Sequence, residues 1–254
     1  MRAVCVHKKQ EIAKKNIFNV FFRRIIDQAK LMTYGRNYKS FIEKSSPMLK
    51  PLQWSATSAT VILLCILSYT FADIPTALWS HAFENTLSYD VFSTITFFGH
   101  SLSYLVGGLL LFVVFRNRKP SMAYSGLFLF SAVAVSGLSA DLVKYIAGRA
   151  RPTLYFSEGL YGFAFFHSQY AWISFPSGHS ATAFSVAIVI ATLYPRWRFA
   201  AFFAAALIAF SRIFLAQHYI SDVIAGSFLG ILSSILLYNL YFKSKFEALE
   251  HNKI

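Results

Sequence analysis

Residues 211–222 read SRIFLAQHYISD and place Arg212, His218 and Asp222 between two long apolar runs. Ionisable side chains at membrane depth are costly, so they are usually retained for a function. His218 and Asp222 are four positions apart, and on a helix this spacing puts them on one face, where the carboxylate reaches the imidazole ring. The stretch therefore predicts a histidine that is held and polarised by an acid.

The composition is typical of a membrane protein. Of the 254 residues, 56% are apolar and only 14% are charged, whereas soluble domains carry about 25% charged residues. The net charge is +13, and residues 1–50 hold twelve Lys or Arg against three acidic residues. Because apolar runs follow this basic segment, anionic lipid headgroups are the expected partner and nucleic acid is not. Cys65 lies inside an apolar run, which excludes a disulfide framework with Cys5.

Six apolar runs predict an all-α integral membrane protein, a bundle of six transmembrane helices. A span needs about 20 residues, so four runs are clear candidates and the fourth and fifth are marginal. In order, the runs cover residues 52–72, 91–115, 121–140, 180–194, 199–215 and 223–242.

The basic N-terminal segment contains an amphipathic pattern. Over residues 12–32, Phe18, Phe21, Phe22 and Ile25 recur at helical spacing among basic side chains, which predicts an interfacial helix before the first span. A partly disordered basic leader is the alternative. The expected organisation is a basic leader over residues 1–50, a six-span domain over 51–243 and a tail over 244–254.

Loop charges predict the orientation. Basic residues lie between the second and third runs, between the fourth and fifth, and at both ends of the chain, whereas the first connection has acids and no Lys or Arg. Since cytoplasmic loops are enriched in Lys and Arg, both termini are predicted to be cytoplasmic. The connections 141–179 and 212–222 then lie together on the outer face. Lys144, Arg149, Arg151 and Arg212 violate the charge tendency there and need another reason to be present.

Two further clusters fall on the same outer side. KYIAGRARP contains Lys144, Arg151 and Pro152, and FPSGHS contains Ser177, Gly178 and His179 at the start of the fourth run. Each has an ordinary explanation when taken alone, since cations near helix ends extend toward lipid headgroups and Ser caps helices. Their coincidence with SRIFLAQHYISD points to one site.

Together the three clusters resemble the signature of the type 2 phosphatidic acid phosphatase superfamily. That signature is Lys-x6-Arg-Pro, then Pro-Ser-Gly-His, then Ser-Arg-x5-His-x3-Asp, and every position matches. The resemblance covers residues 141–222 by motif and about 52–242 by helix pattern. It implies that the domain over residues 51–243 is a phosphatase.

The resemblance also implies roles for individual residues. His218 would be the nucleophile, and Asp222 would enforce its tautomer and stabilise the resulting cation. His179 would protonate the leaving alkoxide and then activate water against a phosphohistidine. The implied phosphate ligands are Lys144, Arg151, Arg212, Ser177 and the backbone of Gly178.

Neither a metal nor another cofactor is expected. His179, His218 and Asp222 could be taken for a two-histidine, one-carboxylate metal site. The three phosphate-binding cations would, however, repel a divalent ion.

The predicted substrate is a membrane lipid phosphate, because the site lies at the bilayer surface. Undecaprenyl diphosphate, phosphatidylglycerol phosphate, phosphatidic acid and lipid A phosphate are all candidates. The short loops favour a bacterial inner-membrane enzyme with its active site facing the periplasm. A phosphotransferase with the same site, and a membrane scaffold or transporter with a vestigial pocket, are the alternatives, and the sequence makes no prediction of oligomeric state.

Overall fold

The computed structural model describes residues 51–251, and within this range all regular secondary structure is helical. Ten α-helices follow one another in the described part of the chain: α1 (Pro51–Phe71), α2 (Asp73–His81), α3 (Leu87–Phe97), α4 (Ser101–Phe115), α5 (Pro120–Ala147), α6 (Pro152–Glu158), α7 (Gly178–Leu193), α8 (Arg198–Phe214), α9 (Ile220–Leu237) and α10 (Lys243–His251). Short 3-10 turns lie at Tyr170–Trp172 and Pro195–Trp197, and a π-helical turn at Tyr238–Phe242 joins α9 to α10.

Five helical segments in this range are long and apolar enough to cross a membrane. They cover residues 53–71, 87–115, 120–147, 195–214 and 220–249. The predicted all-helical membrane fold is confirmed at this level. The fourth predicted span, over residues 180–194, corresponds to α7, which has 16 residues and is shorter than these five segments, so the count of six stays a prediction. The predicted amphipathic leader helix lies outside the described residues.

Two differences between the helix boundaries and the apolar runs affect the position of polar residues. The run 91–115 is divided between α3 and α4, because the chain turns at Phe98 and Gly99. The third run extends beyond residue 140 to Ala147, so Lys144 lies in the last turn of α5. Hydropathy located these segments but not their ends.

Helix α7 occupies the middle of the bundle and packs against α5, α8 and α9. Most of its buried residues are small, among them Ala181, Ala183 and Ser185. On α9, a Cβ atom at Gly226 would overlap the Ser177 carbonyl oxygen. Small residues allow two helix backbones to approach closely in a membrane protein, and this close approach fixes the start of α7 against α9.

The alternating chain direction brings four helix ends together. Helices α5 and α8 end, and α7 and α9 begin, at the same end of the bundle. The hydrogen bond from Ser177 N to Asp222 O (2.9 Å) joins the starts of α7 and α9 directly. Toward the other end of α7, Phe128 and Val189 pack against Phe242 and Phe246 in an apolar cluster. The polar residues of the three motifs are therefore concentrated at one end.

Candidate active site

His218 lies in the tight connection between α8 and α9. The carbonyl oxygen of Arg212 accepts hydrogen bonds from the backbone N–H groups of Gln217 (3.0 Å) and His218 (3.2 Å), which folds the connection back over the end of α8. The His218 side chain is only 3% exposed. Burial lowers the pKa of His218 to about 3, although the interaction with Asp222 acts to raise it. The imidazole is therefore neutral near pH 7.

Asp222 lies in the first turn of α9 and is completely buried. Its Oδ2 atom is 3.4 Å from Nδ1 of His218, and it accepts hydrogen bonds from the backbone N–H of Tyr219 (2.9 Å) and from Ser174 Oγ (2.6 Å). The 3.4 Å separation is longer than a charge-assisted hydrogen bond, and such contacts often tighten only when substrate binds. The carboxylate faces Nδ1 and leaves Nε2 directed elsewhere.

The Nε2 atom of His218 faces Arg151, whose Nη1 atom lies 3.4 Å away. Arg151 is held by the backbone carbonyl groups of Tyr170 (Nε, 2.9 Å) and Gln217 (Nη1, 3.1 Å), and its guanidinium lies over the Tyr170 ring at 4.0 Å. Burial lowers the pKa of Arg151. A cation thus lies beside the ring nitrogen of His218 that does not face Asp222.

His179 is the second residue of α7, so it lies at the end of the bundle that also holds Lys144, Arg212 and His218. Across the described residues, neither its Nε2 atom nor Nε of Arg212 has a hydrogen-bond partner, and both atoms are buried. Buried polar atoms are normally paired. Two unpaired nitrogen atoms at the same site are suited to bind an anion.

Ser177 and Gly178 form the start of α7. Ser177 Oγ accepts hydrogen bonds from Ser180 N (3.4 Å) and Ser180 Oγ (3.0 Å), so it caps the helix. A Cβ atom at Gly178 would lie 3.0 Å from Nζ of Lys144, so the absence of a side chain leaves room for this ammonium. Lys144 also pairs with Asp141 at 2.8 Å, as the three-residue spacing on a helix favours. All eight residues selected from the sequence therefore lie at this end of the bundle.

Two charged residues at the site were not selected from the sequence. Arg149 is fully buried and forms ion pairs with Asp73 (2.7 Å) and Asp222. Burial alone would lower the pKa of Arg149, but Asp222 and Asp73 outweigh burial and raise it. For Arg149, the sequence contained one indication, because a basic residue on the predicted outer face is unusual. For Asp73 it contained none, because an acidic residue in the connection after α1 is common.

Three polar residues on neighbouring segments complete the surroundings. Ser174 lies between Asp222 and His218, with Oγ 3.5 Å from Nδ1 of the ring. Thr96, in the last turn of α3, accepts a hydrogen bond from Nη1 of Arg212 at 2.8 Å. His100 contacts the His179 ring edge to face, with 4.7 Å between ring centroids. Thr96 and His100 are single polar residues in the apolar run 91–115, and Ser174 lies in the connection 141–179, so the sequence did not predict these contacts.

The arrangement suits phosphoryl transfer chemically. A neutral imidazole presents one nitrogen to a site lined by cations, while its other nitrogen faces a carboxylate. In residues 51–251, no group of three or more His, Cys, Asp or Glu side chains is placed to hold a metal ion. The cations Lys144, Arg151 and Arg212 lie at this site, and a fourth cation, Arg149, is paired with Asp73 and Asp222.

Comparisons with known proteins agree with the sequence motifs. The PAP2 superfamily model matches residues 125–246. The chain is 34% identical to a lipid A 1-phosphatase from Rhizobium johnstonii over 206 residues, covering 76% of this chain and 83% of that protein. A lipid A 1-phosphatase from Rhizobium etli is 32% identical over 206 residues, covering 76% of this chain and 87% of the relative.

A solved structure has the same fold. The transmembrane PAP2 type phosphatidylglycerolphosphate phosphatase from Bacillus subtilis superposes with a TM-score of 0.55 at 22% identity, covering 73% of this chain and 96% of that protein. At this identity the likeness concerns the fold alone. The motifs, the family match and the two relatives of more than 30% identity together identify the chain as a member of the PAP2 superfamily.

Proposed function

We propose that this protein is a membrane phosphatase that hydrolyses a lipid phosphate through a phosphohistidine at His218. The observation that carries the proposal is the placement of His218, with Nδ1 facing Asp222 at 3.4 Å and Nε2 facing Arg151 at 3.4 Å. A nucleophilic histidine needs its reacting nitrogen unprotonated and directed at the phosphate, and its other nitrogen protonated beside an acceptor.

The first chemical step forms a bond between Nε2 of His218 and phosphorus and breaks the bond from phosphorus to the lipid oxygen. The leaving alkoxide takes a proton from His179, which enters this step in its protonated imidazolium form and whose Nε2 has no hydrogen-bond partner among the described residues. Asp222 stabilises the positive charge that develops on the His218 ring. The lipid alcohol leaves and the phosphoryl group stays on the enzyme.

The second step uses water. His179, now neutral, accepts a proton from a water molecule, whose oxygen attacks phosphorus and breaks the bond to His218. Inorganic phosphate leaves and both histidines return to their initial state. Lys144, Arg151 and Arg212 stabilise the oxygen atoms of the phosphoryl group in both steps, with the backbone at Gly178 and the Ser177 cap at the start of α7.

The proposed substrate is the 1-phosphate of lipid A. Two relatives of this chain at 34% and 32% identity are named for that activity, and each is matched over more than four fifths of its length. Undecaprenyl diphosphate, phosphatidylglycerol phosphate and phosphatidic acid are the competing substrates. The side chains at the site bind the phosphate that all four share.

The proposed setting is a bacterial inner membrane with the active site on the periplasmic side. Residues 51–243 would form the catalytic domain with six spans, counting the short α7, and residues 244–254 a cytoplasmic tail. Residues 1–50 would form a basic amphipathic leader that contacts anionic headgroups on the cytoplasmic side. The charge distribution along the sequence supports this arrangement.

A substrate panel tests the proposal. The purified full chain in detergent is incubated with the four lipid phosphates, with and without EDTA, and released phosphate is measured. We expect release from lipid A 1-phosphate in EDTA, inhibition by vanadate, and a loss of at least about 10³-fold in His218→Gln and about 10²–10⁴-fold in His179→Gln.

Three results would contradict parts of this proposal. Loss of activity in EDTA would exclude the metal-independent reaction. Full activity of His218→Gln would exclude the phosphohistidine. Transfer of phosphate to a second lipid instead of water would identify a phosphotransferase.

A further inference from the structure

A buried ionic cluster lies behind His218, on the side away from the phosphate ligands. It consists of Asp73, Arg149 and Asp222, all with fully buried side chains. Nη2 of Arg149 donates to Asp73 Oδ2 at 2.7 Å, and Nη1 donates to Asp222 Oδ1. A single guanidinium therefore connects the start of α2 with the first turn of α9.

Neighbouring groups hold this cluster rigidly. Ser221 Oγ accepts a hydrogen bond from Arg149 Nη1 at 2.6 Å and donates one to Asp73 Oδ2, while the Ser221 backbone N–H donates to Asp73 Oδ1 at 3.0 Å. The guanidinium also faces the rings of Tyr219 (4.6 Å) and Tyr69 (5.1 Å). Because all three charged side chains are fully buried, their charges interact more strongly than they would at a surface.

The two oxygen atoms of Asp222 have separate tasks. Oδ1 is bound by Arg149, and Oδ2 faces Nδ1 of His218 while accepting hydrogen bonds from Ser174 and Tyr219. A carboxylate that is fixed through one oxygen cannot rotate, so its other oxygen stays directed at the imidazole. Arg149 is placed to orient the acid that orients the nucleophile.

The charge balance gives Asp73 a role as well. Two carboxylates against one guanidinium leave the cluster with one net negative charge, whereas without Asp73 the Arg149–Asp222 pair would be neutral. The other charged groups facing His218 are the cations Arg151 and Arg212, and His179 lies nearby. The cluster thus supplies the only net negative charge that faces His218 among the described residues.

We propose that Asp73 and Arg149 are positioning residues of the active site, which keep Asp222 oriented and anionic toward His218. This inference rests on the proposed function, in which His218 is the nucleophile. Asp73 lies outside the segment that the family model matches, residues 125–246, and neither residue touches the reacting atoms in this scheme.

The test compares Asp73→Asn with wild type by trapping the phosphoenzyme. Full-length protein in detergent is mixed with ³²P-labelled lipid A 1-phosphate and quenched in SDS at alkaline pH. The rate constant of phosphoenzyme formation and the fraction of protein that reacts are measured separately. We expect the rate constant to fall at least tenfold, with the reactive fraction unchanged and KM within threefold of wild type.

Two other variants accompany this measurement. Ser221→Ala removes the hydroxyl that bridges Asp73 and Arg149 without removing a charge, so it decides the question if Asp73→Asn does not fold; we expect a three- to tenfold lower rate constant. Asp90→Asn makes the same chemical change at an exposed acid and should match wild type.

The outcomes separate this inference from the proposed function. A rate constant within twofold of wild type in both Asp73→Asn and Ser221→Ala would overturn the positioning role. A smaller reactive fraction with an unchanged rate constant would also overturn it, because that is the result of a folding defect alone. Wild-type protein that releases no phosphate would overturn the proposed function, and the inference with it.

Discussion

His218 is almost completely buried and is the proposed nucleophile of the reaction. Its neighbours are an acid on one nitrogen and a cation near the other. Burial disfavours the protonated ring, and the cations Arg151 and Arg212 add to this effect. The resting state of the residue is therefore the neutral form that nucleophilic attack requires.

The stability of the protein should depend on pH because of His218. In the unfolded chain this histidine binds a proton as the pH falls through about 6.5, whereas burial holds its pKa near 3 in the folded state. Between these values the unfolded state binds one more proton than the folded state. The free energy of unfolding therefore falls by about 1.4 kcal/mol for each unit by which the pH is lowered. Lowering the pH from 6.5 to 5 should thus lower the thermal unfolding temperature.

Unfolding curves of the purified protein at pH 7 and pH 5 measure this effect. His218→Gln, which cannot titrate at this position, should lose less of its unfolding temperature over the same interval than wild type. His81→Gln, at an exposed histidine, is the matched control and should follow wild type. Equal losses in wild type and His218→Gln would show that His218 is not buried in its neutral form.

The sequence identified the motif residues but did not predict the ion pair that Arg149 forms with Asp73 behind them. Lys144, Arg151, His179, His218 and Asp222 have fixed spacings that can be read directly from the chain. The contact of Arg149 with Asp73 joins positions 76 residues apart, and no local pattern predicts which distant charges will pair. The charge pattern of the loops showed that Arg149 was unusual on the outer face. Its ion pairs with Asp73 and Asp222 explain its presence, and only the three-dimensional structure shows them.

At the scale of helices, the start of α7 depends on how closely α9 approaches it. A Cβ atom at Gly226 would overlap the carbonyl oxygen of Ser177, and one at Gly230 would overlap that of Ala181. Ser177 also donates its backbone N–H to Asp222 O at 2.9 Å. The two helix starts that carry Gly178, His179 and Asp222 are therefore positioned by backbone contact.

Gly226→Ala should reduce both stability and activity, because the added methyl group pushes α9 away from Ser177. Overpacking of this kind costs about 1–3 kcal/mol, and the displacement acts directly on residues of the site. Gly137→Ala is the control, since a Cβ atom there meets nothing within 4 Å, and alanine favours the helix by about 1 kcal/mol. Unfolding temperature and phosphate release are measured for both variants; a Gly226→Ala protein as stable and active as Gly137→Ala would disprove the close contact.

The helix ends illustrate the limits of hydropathy at this scale. The run 91–115 is continuously apolar, so the sequence predicted one helix, although the chain turns between α3 and α4. That turn brings Thr96 to Arg212 and His100 to His179. Apolar composition reports the membrane environment and does not report where the backbone must bend to reach a polar partner.

For the whole molecule, the alternation of helices places the candidate site at one end of the bundle, opposite the basic connection that contains Arg116, Arg118 and Lys119. Composition was sufficient to predict a helical membrane protein, because few charges and long apolar runs leave no other class. Composition could not fix the number of spans, because α7 has only 16 residues, fewer than a membrane span usually needs. This helix packs against α5, α8 and α9.

The orientation of the bundle predicts which residues a membrane-impermeant thiol reagent can reach. On a background with Cys5 and Cys65 replaced by serine, Ser157→Cys introduces a thiol at the exposed end of α6, on the site side of the bundle. Asn117→Cys introduces one between α4 and α5, within the basic connection. Because cytoplasmic loops are enriched in Lys and Arg, Ser157→Cys should react in intact spheroplasts and Asn117→Cys only after lysis. Labelling of Asn117→Cys before lysis, with Ser157→Cys protected, would contradict the proposed orientation. The candidate site would then lie on the cytoplasmic side, and a lipid phosphate of the inner leaflet would become the expected substrate.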